Sequence, residues 1–259
     1  LANVPNGWNL ADCSLRWTRN LGHNLIKEIN LSFNDLVAER MDSYYLDFWA
    51  AFTVPAGKAN GYNNMIGNYA EINNPLSVVG PAGAQTLPSV ILNIPLPFFY
   101  ARDTGLALPT AAIPYNEMVH YVTFRDVNEL LIIDNFALGV CQRTNLTNSS
   151  PQLTCDMWAE YAIVSNVERS QMGKAARDIL MEQVQTAPKV NYNPNNAQNV
   201  DVRFAHSIKA LFFAIRNKTN TAEHSNYSAA SPVPIVTGVN FTPVLATDPI
   251  AQTSLFYEN

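Results

Sequence analysis

The pattern of apolar and polar positions predicts strands along most of the chain. Ile29, Leu31 and Phe33 alternate with polar neighbours, which predicts a half-buried strand that ends in an Asn-Asp turn at residues 34–35. Residues 208–215 are apolar on both faces except at one lysine, so a central strand buried on both sides is expected there. Runs of β-branched and aromatic residues predict further strands at residues 118–124, 130–133, 158–164, 233–244 and 253–257.

Prolines divide the stretch from residue 93 to residue 134. Pro95, Pro97, Pro109 and Pro114 all lie in its first half. Because proline cannot donate a ladder hydrogen bond, these segments can only be edge pieces, strand starts or corners. Short strands with proline corners and no helical period are typical of an all-β sandwich.

Two segments carry a helical pattern. Tyr45, Phe48, Trp49 and Phe52 recur at helical spacing, with Asp42 or Ser43 able to cap the start. This aromatic stripe could be a ligand platform, but packing of the stripe in the core, over one end of the sandwich, is the favoured interpretation.

The second helical segment begins at Ser165, which forms a capping-box pattern with Glu168. Met172, Ala175, Ala176 and Ile179 continue it at helical spacing. We therefore predict a short helical connector over residues 166–180, between a first domain at residues 1–165 and a second at residues 181–259.

Two long loops are also expected. Residues 55–88 form a low-charge segment rich in Gly, Asn, Pro and Ala, and long loops in compact domains are usually functional. No catalytic residue types gather in it, so a contact surface is expected. Residues 189–199 are rich in Asn and Pro and predict an exposed loop, and residues 144–150 a polar one.

Composition narrows the classes of function. The chain has 259 residues, 47% hydrophobic and only 14% charged, against roughly 25% charged in an average soluble domain. Few charges among many apolar residues imply that neighbouring subunits cover much of the surface. The net charge is −5 and lysines and arginines do not cluster, so no nucleic-acid partner is expected. No apolar run approaches the ~20 residues that a transmembrane helix needs.

Motifs of catalysis and metal binding are missing from the sequence. The four histidines, His23, His120, His206 and His224, are scattered. His120 lies between apolar neighbours on one strand face and is expected to be a hydrogen-bonded structural residue. The adjacent pairs Arg102-Asp103, Arg125-Asp126 and Arg177-Asp178 are interpreted as ion pairs that tie loops to strands. We therefore predict no catalytic, cofactor-binding or metal-binding residues, and no enzyme.

Cysteines and glycosylation sequons are weak signals here. Cys13, Cys141 and Cys155 make an odd count without a CxxC pair. Cys141 and Cys155 flank a polar loop and could bridge, but reduced thiols are favoured. Sequons occur at Asn145, Asn148, Asn217, Asn226 and Asn240, and most are expected to be unused because no signal segment is visible.

Long segments of the chain resemble one protein family. LPFFYARDTGLALPTAAIPYNEM at residues 96–118, followed by FRDVNELL, is similar to the major capsid proteins of iridoviruses, within the nucleocytoplasmic large DNA viruses. Further similar segments follow in the same order as in that family: RWTRNLGHNLIKE, FNDLVAERMDSYYLDFWAAFT, NGYNNMIGN, RDILMEQVQTAP and IKALFFAIRN. The resemblance covers nearly the whole chain.

The resemblance implies a double jelly roll, two eight-stranded β-sandwich domains with short helical insertions. It also implies a structural protein whose homotrimers form pseudo-hexagonal capsomers of an icosahedral shell. Minor capsid proteins and an internal viral membrane would be neighbours, the virion capsid the location, and the host cytoplasm the site of assembly. Family members are longer, so we interpret the chain as an internal fragment in which both jelly rolls are incomplete. A fragment with unpaired strand edges is expected to aggregate when expressed alone.

The alternative from another class is a carbohydrate-binding, lectin-like jelly roll. Tyr62 with Asn60, Asn63 and Asn64 would be its candidate sugar platform. A metal-binding barrel of the cupin type would need clustered histidines, and the scattered histidines do not supply them.

Overall fold

The computed structural model describes residues 3–74, 87–113, 117–146, 152–176, 178–191, 193, 195–216, 222–227, 231–237, 240–244 and 252–256. The strands within these residues are β1 (Cys13–Trp17), β2 (Ile26–Phe33), β3 (Leu36–Asp42), β4 (Met118–Phe124), β5 (Leu131–Asn135), β6 (Val140–Arg143), β7 (Ile235–Thr237) and β8 (Asn240–Thr242). The α-helices are α1 (Leu21–Leu25), α2 (Ser43–Thr53), α3 (Ala59–Met65), α4 (Ala70–Asn73), α5 (Val127–Leu130) and α6 (Asn166–Lys174). Short 3₁₀ turns lie at Leu10–Asp12, Ala56–Lys58, Phe99–Ala101, Thr104–Leu106 and Thr110–Ala112. Antiparallel sheets with short helical insertions were predicted, and the described residues form them.

The first sheet has β2 in its centre, between β3 and β4, and all pairs are antiparallel. The β2–β3 hairpin closes through Asn34 and Asp35, whose φ angles are 47° and 65°. Two central residues with positive φ form the turn whose twist suits a two-residue hairpin, and Asn and Asp tolerate that conformation. The strand predicted at residues 29–33 and its Asn-Asp end are confirmed.

The inner face of this sheet carries the main apolar core. Ile29, Leu31 and Met41 are buried there and pack against Phe98 and Phe99. The two phenylalanines follow Pro95 and Pro97, in a segment that does not pair with any strand of the described residues. The proline-rich stretch therefore covers the sheet as a lid of coil and 3₁₀ turns.

The second sheet has β5 in its centre, between β1 and β6. Every residue of β5 is buried, including the polar Asp134 and Asn135 at its end. β1 is also buried over most of its length, although it contains Arg16. Since Asp134 lies on the neighbouring strand, opposite charges meet inside this sheet.

Helix α2 buries a different face from the one predicted. Asp42 caps it by accepting from the N–H of Tyr45 at 2.8 Å, and its buried residues are Ser43, Leu46 and Asp47. Of the aromatic stripe, Tyr45 packs against the core, whereas Phe52 is 68% exposed. The prediction that the stripe lies in the core is confirmed for Tyr45 only, because the fully buried side of the helix carries Ser43, Leu46 and Asp47. Phe48 and Trp49 are half-buried.

The segment predicted as a long loop at residues 55–88 contains α3 and α4 in its described part. Its path requires a glycine at position 67, where φ is +70° and an added Cβ would lie 2.7 Å from Leu92 Cδ2. The prediction of a loop is thus wrong for residues 59–65 and 70–73.

Three predicted strands are absent from the described residues. Residues 158–164, 208–215 and 253–256 have neither helix nor strand. Trp158 and Ile163 are 91% and 96% exposed, and most of residues 208–215 are also exposed. An apolar sequence supplies the capacity for a strand, but a strand forms only beside a hydrogen-bonding neighbour, and within the described residues these segments have none.

After residue 165, the described residues form one α-helix and two strands. Helix α6 begins with the predicted capping box at Ser165, but it ends at Lys174 and excludes Ala175, Ala176 and Ile179. Strands β7 and β8 form a hairpin within the predicted 233–244 region. The hairpin docks on the second sheet through a bond from Val236 N–H to the Phe136 carbonyl at 2.9 Å.

Some sequence predictions fall on positions that are not described. Pro114, Asn148, Arg177, Asn217, Gly238 and Tyr257, together with residues 75–86, lie outside the described residues. None of the helices in the described part of the chain has the length and apolar character needed to span a bilayer.

Candidate functional site

Residues 222–227, which we call the strap, lie inside the first half of the molecule. The four consecutive polar residues Glu223, His224, Ser225 and Asn226 are all buried. Their burial removes no large apolar surface from water, so hydrogen bonds and charge pairs must compensate it. The strap and the residues that contact it therefore form the candidate site.

Arg16 is the charged centre of the site. Its Nε and Nη2 donate to the two carboxylate oxygens of Asp134 at 2.7 and 3.1 Å, and its Nη1 donates to Glu223 Oε1 at 2.6 Å. Arg19 reaches the same Glu223 oxygen at 3.4 Å. Burial alone would lower the pKa of the Arg16 guanidinium, but the charges of Asp134 and Glu223 outweigh burial and raise it. Arg16 therefore stays charged, bound at both ends.

Thr18 and His224 exchange two hydrogen bonds. The Thr18 hydroxyl donates to the His224 carbonyl at 3.2 Å and accepts from the His224 N–H at 3.1 Å. Burial and the nearby charges of Arg125, Arg143 and Arg216 lower the pKa of the His224 imidazole to about 3. The ring is therefore neutral at physiological pH and contributes no cation to this already basic surrounding.

Asp47 is the second centre of the site. Its Oδ1 accepts from Asn20 Nδ2 at 2.9 Å and from His23 Nδ1 at 2.7 Å. Its Oδ2 accepts from the hydroxyls of Ser225 and Tyr227. A carboxylate offers about four acceptor positions, and here four donors occupy them. Burial, followed by the Asp47 charge, raises the pKa of the Tyr227 hydroxyl, which keeps its proton.

Ser225, His23 and Asp47 are the residue types of a hydrolase triad, but they are connected in the wrong order. In a triad the histidine bonds the serine and takes its proton. Here both His23 and Ser225 donate to Asp47, while His23 Nε2 lies 2.8 Å from the Tyr62 hydroxyl and Asn24 donates to Ser225 Oγ at 2.6 Å. The arrangement binds and orients; it leaves no free base beside a nucleophile.

A second polar contact joins the two halves of the chain near Arg102, and we call it the Arg102 cluster. Arg102 contacts the Glu182 carboxylate, donates to the Tyr45 hydroxyl at 2.9 Å and stacks over the Trp49 ring at 4.1 Å. Glu182 also pairs with the exposed Lys209. The Lys209 hydrogen bond, followed by the charges of Lys209 and Arg102, outweighs partial desolvation and lowers the pKa of Glu182.

Glu39 lies beneath the Arg102 cluster. Its Oε2 accepts from the Phe99 N–H at 3.0 Å, and its Oε1 is 3.5 Å from Arg102. Burial raises the pKa of Glu39 to about 7, against the lowering effects of the Phe99 N–H and Arg102. Glu39 is thus a buried carboxyl that titrates near neutral pH.

The histidine and the tyrosine that the sequence analysis singled out each form a hydrogen bond with another side chain. His120 Nε2 lies 2.8 Å from the Tyr100 hydroxyl, which agrees with its prediction as a hydrogen-bonded structural residue. Tyr62 directs its hydroxyl to His23 and is half-buried, whereas Asn60 and Asn64 of the candidate sugar platform are exposed. Among the described residues no group of His, Cys, Asp and Glu side chains could hold a metal ion.

The adjacent Arg-Asp pairs divide their roles. Arg125 donates to the Asn24 carbonyl at 2.9 Å and to Ser43 Oγ at 3.0 Å, which ties a loop to α1 and α2. Asp103 and Asp126 instead cap short turns by accepting from backbone N–H groups two residues later. Arg125 thus holds elements together, but it ties its loop to helices and not to the strands that were predicted. The two aspartates cap the starts of Thr104–Leu106 and α5.

Cysteines and sequons are likewise constrained by burial. Cys13, Cys141 and Cys155 are free thiols. Burial raises the pKa of Cys141 to about 12, which leaves it unreactive at neutral pH. Asn226 is buried within the strap, so its sequon cannot carry a sugar in this fold. Asn145 and Asn240 are exposed.

Sequence reasoning missed the strap, Arg16 and Asp47. One signal was present: Asp47 is a single carboxylate among the apolar and aromatic residues of α2. A lone charge in such a helix indicates a buried partner, but the partner lies 178 residues away in the chain, at Ser225. Arg16 and Glu223 are 207 residues apart.

Comparison with known proteins places the chain in a family. Residues 2–164 match the family described as the N-terminus of the major capsid protein. Residues 168–259 match the family described as the large eukaryotic DNA virus major capsid protein. The chain belongs to the large DNA virus major capsid protein family.

Individual members of the major capsid protein family are similar over nearly the whole chain. The major capsid protein of Simulium iridescent virus is 55% identical, over 95% of this chain and 54% of that protein. That of Wiseana iridescent virus is 54% identical over 99% of this chain and 56% of that protein, and that of Frog virus 3 is 40% identical over 95% and 54%. The chain spans about half the length of these relatives. Capsid proteins are structural proteins and not enzymes, so the membership agrees with the prediction of no enzyme.

Proposed function

We propose that this chain is part of a shell-forming capsid protein with a double jelly roll. Residues 1–165 would belong to the first jelly roll and residues 181–259 to the second, each as a part of it, with residues 166–180 as connector. The observation that carries the proposal is that two family matches meet between residues 164 and 168, beside the capped start of α6. Antiparallel sheets on either side of this helix support the same division.

Exposed apolar segments support an assembly role. Residues 152–164 and 208–216 present large apolar side chains to water, among them Trp158, Ile163 and Phe213. Contiguous exposed apolar surface marks a site of interaction. In the whole capsid protein we propose that neighbouring strands of the same subunit or adjacent subunits cover these segments.

The proposed assembly is a homotrimer. Six jelly rolls would then give each trimer a pseudo-hexagonal outline, and trimers would tile an icosahedral shell over an internal viral membrane. Minor capsid proteins would be further partners, the virion capsid the location, and the host cytoplasm the place of assembly. Symmetric repetition supports this scheme, since it turns one modest contact surface into a stable shell. No catalytic, cofactor or metal site is proposed.

Expression of the full-length capsid protein tests this function. Light scattering behind size-exclusion chromatography should give the mass of three subunits, and electron microscopy should show pseudo-hexagonal particles. A stable monomer under all assembly conditions would contradict the proposal. The 259-residue chain expressed alone is expected to aggregate, because exposed apolar segments without neighbouring strands associate with one another.

A further inference from the structure

We propose that the strap is a lock: its contacts hold residues 168–259 against residues 2–164, the two regions that the two family matches cover. The strap would leave its binding site as one local unit while the rest of the chain stays folded. The partner that the interior of the first region accepts is thus a short segment of the same chain, with one carboxylate, one hydroxyl and one phenol. This inference rests on contacts within the chain and does not depend on the proposed shell function.

The strap differs in burial from the described residues between 178 and 216. Residues 178–191 and 195–216 are mostly exposed, and their described residues form neither helix nor strand. Gln185 makes two side-chain bonds with the backbone of Ala205, at 3.0 and 3.3 Å, within this exposed part. Few buried contacts define a region of low local stability. The strap is therefore the buried polar anchor that follows this exposed part of the chain.

The receptor for the strap is polar and matches it group by group. Glu223 meets Arg16 and Arg19, and Ser225 meets Asp47 and Asn24. The strap backbone is also bound. Its Ala222 carbonyl accepts from Arg143 Nε at 3.1 Å and its Glu223 carbonyl from Arg216 Nη2 at 2.8 Å. The fit is thus one of charge and hydrogen bonds.

Backbone geometry supports a locked state. Ser225 has a φ of +57°, in the left-handed region that residues with a Cβ rarely adopt. Such a conformation persists only where surrounding contacts determine it. The Ser225 hydroxyl is held on both sides, as donor to Asp47 and as acceptor from Asn24. Release of the strap would remove both contacts and relax this backbone at the same time.

Polar contacts make the lock able to open without general unfolding. The strap and its receptor would both be solvated by water after release, whereas the apolar core around Ile29, Leu31 and Phe99 contains no strap residue. Arg16 would keep its bidentate partner Asp134 in the open state. Opening therefore exposes few apolar groups and leaves the Arg16 guanidinium paired with Asp134.

Hydrogen–deuterium exchange on the full-length capsid protein, which contains this chain, tests the lock. The strap should be protected in the unaltered chain, and Glu223→Gln should speed exchange at residues 222–227 on the order of a hundredfold, because a buried charge pair is broken. Exchange in β2 should stay slow. The matched control is Glu182→Gln, the same chemical change in the Arg102 cluster, which should leave strap exchange unchanged. Equal strap exchange in Glu223→Gln and the unaltered chain would overturn the proposal.

A milder variant covers the case in which Glu223→Gln unfolds the chain. Ser225→Ala removes one hydroxyl and should speed strap exchange about tenfold, while β2 remains protected. Limited trypsin digestion after the exposed Lys189 or Arg203 gives a second readout. In the unaltered chain, the fragment that contains the strap should co-elute with the first half under native conditions, and in Ser225→Ala it should separate more readily. Separation of the unaltered fragments, or strap exchange as fast as in residues 178–191, would refute the lock.

Discussion

The strap site and the Arg102 cluster join the same two halves of the chain with similar residues in different surroundings. Arg16, Asp134 and Glu223 are fully buried, and each charge has its partner at hydrogen-bonding distance. In the Arg102 cluster, Glu182 and Lys209 reach solvent, and Lys209 is 75% exposed. Water screens the second set but not the first. The burial of an ion pair, more than its presence, therefore decides how much of the folding free energy depends on it.

The largest effect is expected from Arg16→Met. This change leaves the carboxylates of Asp134 and Glu223 buried together without a cation between them, and breaking a buried pair in this way lowers the free energy of unfolding by about 3–5 kcal/mol. Urea unfolding of the full-length capsid protein would measure it. Arg40→Met is the matched control, since Arg40 pairs with Glu28 on an exposed sheet face. A loss for Arg16→Met no larger than for Arg40→Met would remove the distinction between buried and exposed pairs.

The next effect concerns the pH dependence of stability that Glu39 causes beneath the Arg102 cluster. The pKa of Glu39 is about 7 in the fold, against an ordinary value of 4.5. The folded state therefore holds this proton more tightly, so the contribution of Glu39 to stability is fully present below pH 4.5 and is lost as pH rises through 7. The difference amounts to at most ~3 kcal/mol.

Glu39→Gln should flatten the dependence of unfolding free energy on pH between 4.5 and 8. Denaturant titrations at several pH values would show this. Glu28→Gln serves as control, because the pKa of Glu28 is lowered, mainly through its hydrogen bonds with Asn30 and Arg40 against partial desolvation, and its effect belongs to more acidic solution. A slope that Glu39→Gln leaves unchanged would show that Glu39 is ionised in the fold at neutral pH.

A smaller loss is expected from Asp47→Asn. The amide keeps the shape of the side chain, but its NH₂ group faces donors from which the carboxylate accepted hydrogen bonds. The free energy of unfolding should fall by about 2 kcal/mol. Thermal or urea unfolding measures it. Asp103→Asn makes the same change at an exposed turn, where Asp103 Oδ1 accepts from Gly105 N–H at 3.4 Å, and should cost less than ~0.5 kcal/mol. Equal losses would mean that the four donors around Asp47 contribute nothing specific.

The smallest effect is expected from Lys209→Met in the Arg102 cluster. The Lys209–Glu182 pair is exposed, so its removal should change the free energy of unfolding by less than ~0.5 kcal/mol. Added salt should reduce even this difference. A loss comparable with that of Arg16→Met would contradict the screening argument and make the two sites equivalent.

Local features were predictable from the sequence because neighbours in the chain decide them. The alternation at residues 29–33, the Asn34 and Asp35 turn and the capping box at Ser165 each depend on a few adjacent residues. Family membership was predictable for a related reason, since long motifs in constant order need no knowledge of contacts. The ends of elements were predicted less accurately, because helical spacing alone does not mark a terminus. Helix α6, for example, ends at Lys174.

Local turns, caps and strand alternation follow from the residues next to one another in the chain, and membership in the capsid family follows from its long motifs. Only the tertiary structure decided that residues 208–215 remain exposed in this chain, because a strand requires a hydrogen-bonding neighbour that an apolar sequence cannot supply. Likewise, only the tertiary structure brought Glu223 to Arg16 and Ser225 to Asp47. Pairs separated by about two hundred residues meet through the path of the whole chain, and the free energy of each pair depends on burial, which single residues do not specify.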